Sequence, residues 1–161
     1  MARIFPAPPP PSMKTTTSLD SVPFDTLDGS HLLNLPDADD PVALAHAVRE
    51  GLPADAFEAL RDALGVPSPT LANALAIAPR TLARRRGAGR LAPDESDRLL
   101  RAARLTEMAA VALGDREAGA QWMTEPHALF GGEPPLRHAD TAPGARAVED
   151  ALYAVEFTAA A

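Results

Sequence analysis

The sequence predicts an all-α protein, and three observations support this fold class. Apolar residues recur at intervals of three and four through most of residues 41–157, which is the spacing of one helix face. Proline and glycine stand at the beginning and end of successive periodic runs, as they do at helix ends. No stretch alternates apolar and polar residues convincingly over the length of a strand.

Composition excludes several classes of protein. The chain has 161 residues and no cysteine, which rules out disulfides, thiolate zinc sites and cysteine catalysis. It has no run of 18 apolar residues, and prolines interrupt the N-terminal stretch where a signal peptide would need an apolar segment. We therefore expect a cytoplasmic protein with no membrane-spanning helix.

Residues 1–40 have the composition of a disordered, proline-rich tail. Eight of the 17 prolines fall within residues 1–41, and proline fixes φ and removes a backbone donor. Met13 is a second possible start, so the expression of residues 1–12 stays open. An alternative for part of the tail is docking on the folded domain through Leu32, Leu33 and Leu35.

Two short helices are predicted after the tail. Asp40 can cap the first, Pro41 can occupy its first position, where a missing N–H costs nothing, and Gly51 ends it. The second begins after Pro53 and ends at Gly65. The residues expected to face inward are Val42, Ala45 and Val48 in the first helix and Phe57, Leu60 and Leu64 in the second.

Residues 68–86 have the pattern of a helix-turn-helix unit. Such a unit needs a small residue inside its first helix, another in the turn, and an apolar residue six positions after the turn. Ala72, Ala76 and Leu82 occupy these places. Because a left-handed φ costs alanine about 1 kcal/mol, alanine in place of glycine at position 76 predicts a modified turn. Gly87-Ala88-Gly89 is expected to break the second helix after Arg86.

The second helix of this unit concentrates positive charge. The whole chain has a net charge of -7, yet residues 80–104 carry eight arginines against three carboxylates, a local charge of +5. Guanidinium groups pair bidentately with phosphate and with guanine. The alternative is a solvated helix whose arginines stay in water or meet an acidic partner, and Arg85 stands where an apolar anchor is common. The predicted DNA-binding residues are Arg80, Thr81, Arg84, Arg85, Arg86 and Arg90.

A long helix is predicted from about Pro93 to Leu113. Its polar positions fall on one face, and Asp94–Arg98 and Asp97–Arg101 form i,i+4 pairs in the favourable order. The apolar arc is wide, which predicts burial both by its own domain and by a second copy of the chain. The residues expected in that dimer interface are Leu99, Ala103, Met108 and Val111.

The last third is predicted to be a short helix over 115–123, an ordered loop over 126–140 and a final helix capped by Thr141. The final helix should face inward with Ala145, Val148, Leu152 and Val155. The predicted division is a tail over 1–40, a helix-turn-helix domain over 41–91 and a second helical domain over 92–161.

Signals of catalysis are weak. No two of the four histidines have the i,i+4 spacing of a helix-borne metal pair, and no Gly-x-Ser-x-Gly motif occurs. The Gly87-Ala88-Gly89 stretch is too short for a phosphate loop and follows a helix instead of a strand. We expect no enzyme activity, no metal site and no cofactor.

Several motifs follow one another in a fixed order over residues 42–157. The first group is Thr81-Leu82-Ala83-Arg84-Arg85-Arg86, Gly89-Arg90-Leu91 and Glu95-Ser96-Asp97-Arg98-Leu99-Leu100-Arg101. The second is Gly114-Asp115, Ala118, Trp122-Met123, Pro126, Leu129 through Gly132, and Pro135-Leu136. The third is Thr141, Gly144-Ala145, Val148-Glu149, Leu152 and Glu156. Taken together, these motifs resemble the Xre/MbcA/ParS-type antitoxins, and the ordered set is specific although each motif alone is weak.

The resemblance implies an antitoxin of a type II toxin–antitoxin pair. Its Xre-like helix-turn-helix domain would bind operator DNA of its own operon. Its C-terminal, ParS-like domain would bind and neutralise a RES-domain toxin, an enzyme that degrades NAD. It would need no cofactor, and paired operator half-sites would require a homodimer within the toxin–antitoxin hetero-oligomer.

The resemblance also places the toxin contact at the C-terminal end, which in such families reaches into or over the toxin active site. This chain departs there, because Thr158 and three alanines follow the Glu-aromatic pair where the family often has glycine. Aromatic anchors beside carboxylates suit a basic pocket, with Glu149, Asp150 and Glu156 facing its arginines. For Trp122 and Phe130 the alternative is a place in the core. The predicted toxin-binding residues are Trp122, Phe130, Gly131, Gly132, Tyr153, Glu156 and Phe157.

A second hypothesis from another class is a stand-alone helix-turn-helix transcriptional regulator without a toxin partner. A neighbouring reading frame that encodes a RES-domain protein would separate the two hypotheses.

Overall fold

The computed structural model describes residues 22–36 and 40–159, and the regular structure in these ranges is helical. The predicted all-α fold is confirmed. Three short 3-10 turns cover Phe24–Thr26, Ala128–Phe130 and Pro135–Asp140. The α-helices are α1 (Pro41–Glu50), α2 (Ala54–Leu64), α3 (Ser68–Ala74), α4 (Pro79–Ala88), α5 (Pro93–Ala112), α6 (Arg116–Thr124) and α7 (Ala142–Ala159). Over the described ranges, none of the helices combines the length and the apolar character needed to cross a membrane.

Most helix ends lie where their capping residues predict them. The Asp40 carboxylate accepts from the Val42 N–H at 2.8 Å, and Pro41 is the first residue of α1. Gly65 ends α2 in the left-handed region with φ 65°. The predicted break at Gly87 is wrong: α4 continues to Ala88 and ends at Gly89, whose φ is 78°. A glycine inside a helix costs only about 1 kcal/mol, so it does not by itself end one.

The core is built around α5, which packs against α1, α2, α6 and α7. Leu99, Ala103 and Met108 are fully buried inside the single chain, and Val111 is partly buried against the same core. The prediction of a dimer interface is therefore corrected for Leu99, Ala103 and Met108. The apolar arc of α5 is wide because several elements of its own chain cover it.

The inward faces of most helices are those predicted. The side chains buried as expected are Phe57, Leu60 and Leu64 in α2, Leu71 and Ala72 in α3, and Ala145, Val148 and Leu152 in α7. The α1 helix is the exception, since Val42 is 65% exposed and Ala45 is exposed, whereas Leu44 is buried. This helix is rotated about its axis from the predicted orientation, and Leu44, Ala47 and Val48 face the core.

Residues 22–36 form an ordered segment on the surface of α5, which we call the N-terminal strap. Phe24 and Leu33 are each 3% exposed, and Ser30 is fully buried. The prediction of disorder over 1–40 is corrected for this segment, because its leucines and Phe24 find an apolar surface on the helical body. The alternative of docking through residues 32, 33 and 35 describes this part better. Residues 1–21, including Met13, and residues 37–39 lie outside the described ranges.

The side chains of two α5 residues hold the strap by hydrogen bonds to its backbone. Glu107 accepts from the N–H groups of Gly29 at 3.0 Å and Leu32 at 2.8 Å. Arg104 donates from Nε to the carbonyl oxygen of Leu27 at 2.9 Å. A Cβ at Gly29 would lie 2.6 Å from the Arg104 backbone nitrogen, and its φ is +85°, so only glycine fits this approach. Burial raises the pKa of Glu107 above its ordinary value, although the two N–H groups oppose the shift.

Candidate functional site

The α3–turn–α4 unit has the close crossing that its small residues predict. Ala72 and Leu82 are buried between the helices, at 1% and 4% exposure. The Ile77 N–H donates to the Ala72 carbonyl at 2.8 Å, which closes the turn. Ala76 adopts φ +53°, the left-handed conformation that glycine usually supplies at such a turn. The prediction of a modified turn is therefore wrong. The turn has its ordinary geometry, and Ala76 is strained in it.

Two of the predicted DNA-binding arginines are available to a ligand. Arg80 and Arg84 are exposed on α4, and neither makes a hydrogen bond or an ion pair with any part of the chain that the structure describes. Thr81 is half-buried beside them. Side chains that are extended into solvent without an internal partner are able to reach phosphate oxygens at little cost.

Arg85 is turned inward instead. Its Nε and one terminal nitrogen donate to the two Glu95 oxygens at 2.8 and 3.2 Å. The Glu95 side chain is 7% exposed and also accepts from the Ala92 N–H at 2.8 Å, at the start of α5. The hydrogen bonds to Glu95 hold the pKa of Arg85 above its ordinary value. Arg85 thus joins α4 to α5 at the place where an apolar anchor is common.

Arg86 and Arg90 are also occupied within the chain. Arg86 pairs with Glu58 at 2.6 Å, donates to the Ser68 hydroxyl at 2.9 Å, and lies 5.7 Å above the centre of the Phe57 ring. Arg90 donates to the Gly51 carbonyl at 2.8 Å. Both side chains are exposed in part, but each already has an acceptor. The basic surface of α4 is consequently narrower than its sequence predicts.

Trp122 of α6 and the aromatic residues of the loop that follows form an internal cluster. The Trp122 and Phe130 rings meet edge to face with centroids 6.1 Å apart, and His127 lies 5.1 Å from Trp122. Phe130 is buried and also faces His138 at 5.3 Å. Trp122 is half-buried against the main core. The structure therefore places these two predicted contact residues in the packing that fixes the loop after α6.

The Gly131-Gly132 pair forms an exposed turn, with φ values of 68° and 84°. The Gly132 N–H donates to the His127 carbonyl at 3.0 Å, which closes the loop. Leu129, two residues before the pair, is 74% exposed. An apolar side chain with this exposure beside a hydrogen-bonded turn is a candidate contact that the sequence prediction did not include.

The C-terminal turns of α7 present the other predicted contact residues. Tyr153 is 43% exposed and Phe157 is 81% exposed, and Glu156 is half-buried. Glu149 is not available to a partner's arginine, because Arg104 of α5 donates to both of its oxygens at 3.1 and 2.7 Å. That guanidinium holds the pKa of Glu149 below its ordinary value. The prediction that Glu149 faces the toxin is corrected, while its neighbour Asp150 is exposed.

Two domain families match the chain in succession. Residues 43–104 match the antitoxin Xre-like helix-turn-helix domain. Residues 108–157 match the antitoxin Xre/MbcA/ParS C-terminal toxin-binding domain. The chain belongs to the Xre-type antitoxin family. It is 35% identical over 65 residues to Antitoxin Xre of Pseudomonas putida, a match that spans 40% of this chain and 41% of that relative.

The family boundaries divide the antitoxin inside α5. The first match ends at residue 104 and the second begins at residue 108, so the two matches share one continuous helix, Pro93–Ala112. Arg104 and Glu107, the two residues that hold the N-terminal strap, lie at this junction. The strap itself precedes both matches.

Several functional features of the antitoxin escape a reading of the sequence. The sequence gives only one indication that Arg85 pairs with Glu95. Arg85 is a charged residue at a position that is commonly apolar, and a charge buried there needs a carboxylate from elsewhere in the fold. The exposure of Leu129 depends on the loop geometry. Within residues 22–36 and 40–159, no three histidine, aspartate or glutamate side chains converge in a way that could hold a metal ion.

Proposed function

We propose that this antitoxin binds and neutralises a RES-domain, NAD-degrading toxin and represses its own operon by binding operator DNA in the cytoplasm. The observation that carries the proposal is the sharing of α5 between an antitoxin helix-turn-helix domain and a toxin-binding domain. Each half presents exposed groups of the chemistry that its partner needs. On α4 these groups are guanidinium ions, and on α7 they are aromatic rings beside carboxylates.

On the DNA side, Arg80 and Arg84 are the phosphate or guanine contacts, with Thr81 beside them. Arg86 also contributes, through the part of its guanidinium that is not hydrogen-bonded within the chain, because its side chain is 41% exposed. Arg85 positions α4 and does not touch DNA. The antitoxin is otherwise acidic, with a net charge of -7, so it must approach DNA through α4 and keep its acidic surfaces turned away.

On the toxin side, Phe157 and Tyr153 are the apolar anchors, and Asp150 and Glu156 are the charged ones. Exposed aromatic side chains near carboxylates fit a pocket that is apolar inside and basic at its rim. A homodimer places two α4 helices on paired half-sites. Its interface lies outside the buried arc of Leu99, Ala103 and Met108.

The toxin claim predicts that a reading frame beside the one for this chain encodes a RES-domain protein, and it is tested with that protein. Co-expression of the antitoxin should restore growth of cells that produce the toxin, and the two proteins should co-purify. Phe157→Ala should weaken the complex by at least about fivefold, because truncated interface anchors commonly cost more than 1 kcal/mol. Val42→Ala shortens an apolar side chain of α1 that is 65% exposed, and it should leave the affinity unchanged. If the protein binds its operator but not the toxin, it is the stand-alone regulator instead.

The DNA claim is tested by the salt dependence of operator binding. Each neutralised phosphate contributes about -0.9 to the slope of log affinity against log salt concentration. With Arg80, Arg84 and Arg86 each neutralising one phosphate, the slope should be about -2.7 per protomer, and Arg84→Ala should reduce its magnitude by about 0.9. Arg85→Ala should lower the affinity without changing the slope. A loss of slope in Arg85→Ala equal to that in Arg84→Ala would show that Arg85 touches DNA.

A further inference from the structure

The N-terminal strap lies outside both family matches, yet it is built into the toxin-binding half of the antitoxin. Its backbone is held by Glu107 and Arg104 of α5. Arg104 uses one nitrogen for the Leu27 carbonyl and its two others for Glu149 of α7. One guanidinium therefore fixes the strap and α7 relative to each other.

A second contact joins the strap to the exposed end of α7. The ring of Phe24 packs against the ring of Tyr153 with centroids 4.9 Å apart. Phe24 is 3% exposed, so its ring is shielded from solvent in this contact. After Leu152, which is fully buried, none of residues 153–159 is buried. The strap thus supplies aromatic support for the last turns of α7, which the core covers only in part.

Exposed carboxylates lie near this support, whereas the Arg104 guanidinium beside it is already paired with Glu149. Asp25 follows Phe24 directly and is exposed, and Asp150 is exposed on α7. Residues 22–36 contain no lysine or arginine. Asp25 follows a residue whose ring contacts Tyr153, and Asp150 lies about one turn of α7 before Tyr153, so both carboxylates belong to the surface next to that ring. DNA and a second copy of this acidic chain are both repelled by such a face, and a partner with a basic rim is attracted.

We propose that the strap forms part of the toxin-binding surface, with Phe24 as a positioning residue for α7 and Asp25 as a direct contact with a basic group at the rim of the toxin's pocket. This proposal rests on the proposed function and extends the binding surface beyond the residues of the matched toxin-binding domain. The occupant of the surface is the RES-domain toxin.

The test measures the dissociation constant between the full-length antitoxin and a catalytically inactive form of the adjacent RES-domain protein. Asp25→Asn should raise the dissociation constant at low salt, and the difference from wild type should shrink at high salt, as expected for a rim charge. Asp55→Asn removes the same charge from an exposed position of α2 and should have no effect. Phe24→Ala should raise the dissociation constant at least about fivefold and leave the salt slope of operator binding unchanged.

The outcomes separate the two proposals. If the wild-type antitoxin does not bind the RES-domain protein, the proposed function fails. If the wild type binds and Asp25→Asn and Phe24→Ala bind equally tightly, the strap proposal alone is overturned. Should Phe24→Ala unfold, Asp25→Asn decides, since an exposed charge is not needed for the fold. Sedimentation measures self-association. If the two variants change self-association and not the affinity for the toxin, the proposal is also overturned.

Discussion

Gly87 and Gly119 both lie inside helices, and their surroundings set opposite requirements. A Cβ at Gly119 would lie 2.5 Å from the backbone nitrogen of Ala110, whereas a Cβ at Gly87 would meet no atom within 4 Å. Gly119 therefore allows α6 to cross α5 at close range. Gly87 has no such neighbour, and it costs α4 conformational entropy.

The same substitution should change stability in opposite directions at these two positions. Gly119→Ala should lower the free energy of unfolding by about 1–3 kcal/mol, because α6 must move away from α5. Gly87→Ala should raise it by up to about 1 kcal/mol, since alanine is the better helix former. Urea unfolding of both variants measures the two values. A loss of stability at position 87 would mean that α4 needs its glycine.

Ala76 stores strain in the turn between α3 and α4. Its φ of +53° costs an L-residue about 1–2 kcal/mol, and glycine pays about 0.5–1 kcal/mol in chain entropy at the same place. Ala76→Gly should therefore raise the free energy of unfolding by about 0.5–1 kcal/mol. Ala78→Gly is the matched control, because Ala78 has φ -64° and should lose stability. Equal effects at both positions would remove the assignment of strain to Ala76.

At the scale of the elements, one ion pair joins α5 to α7. Arg104 and Glu149 are each about 70–75% covered by their surroundings, and the pair lowers the pKa of Glu149. Because the folded pKa lies below the unfolded one, the pair's stabilisation is complete above the ordinary carboxyl pKa of 4.5 and is lost as the pH falls through the folded value. Glu107, whose pKa burial raises, has the opposite dependence.

The contribution of the pair is isolated by comparing wild type with Glu149→Gln. The difference in their free energies of unfolding should be constant above about pH 5 and should shrink as the pH is lowered further. Asp150→Asn, which removes an exposed carboxylate of α7 that Arg104 does not contact, is the matched control. Urea unfolding at a series of pH values gives the comparison. A difference that grows on acidification would contradict the assigned sign.

The helices were predictable because their signals are local. Asp40, Gly65 and Thr141 act within one turn of their own positions, through side-chain caps or a left-handed φ. The partner of a helix face is not local. The sequence predicts the wide apolar arc of α5, but it does not say whether the strap, other helices or a second copy covers that arc.

The same limit applies to the candidate site. The concentration of arginine on α4 is visible in the sequence, and the exposed positions of Arg80 and Arg84 agree with it. The ion pair between Arg85 and Glu95 is visible only once α4 and α5 are in contact. The part played by Phe24 similarly depends on a neighbour, Tyr153, which is more than a hundred residues away in the chain.

At the scale of the whole molecule, α5 makes the two antitoxin domains one structure. The Leu52 N–H, beside α2, donates to the buried Ser96 hydroxyl of α5 at 2.8 Å. The opposite end of the same helix packs against α6 and α7. Buried residues from the strap, the helix-turn-helix half and the toxin-binding half form one continuous core cluster.

A shared core helix predicts a single cooperative unfolding transition. Trp122 is the single tryptophan of the chain, so its fluorescence reports on the C-terminal half, whereas far-ultraviolet circular dichroism reports on all helices. The two signals should have the same thermal midpoint, because neither half keeps its core without α5. A fragment of residues 41–91, which lacks that helix, should show little cooperative helical melting, whereas a fragment of residues 41–112 should be more helical per residue. Two separate transitions in the full chain, or a stable 41–91 fragment, would show that the helix-turn-helix domain folds without α5.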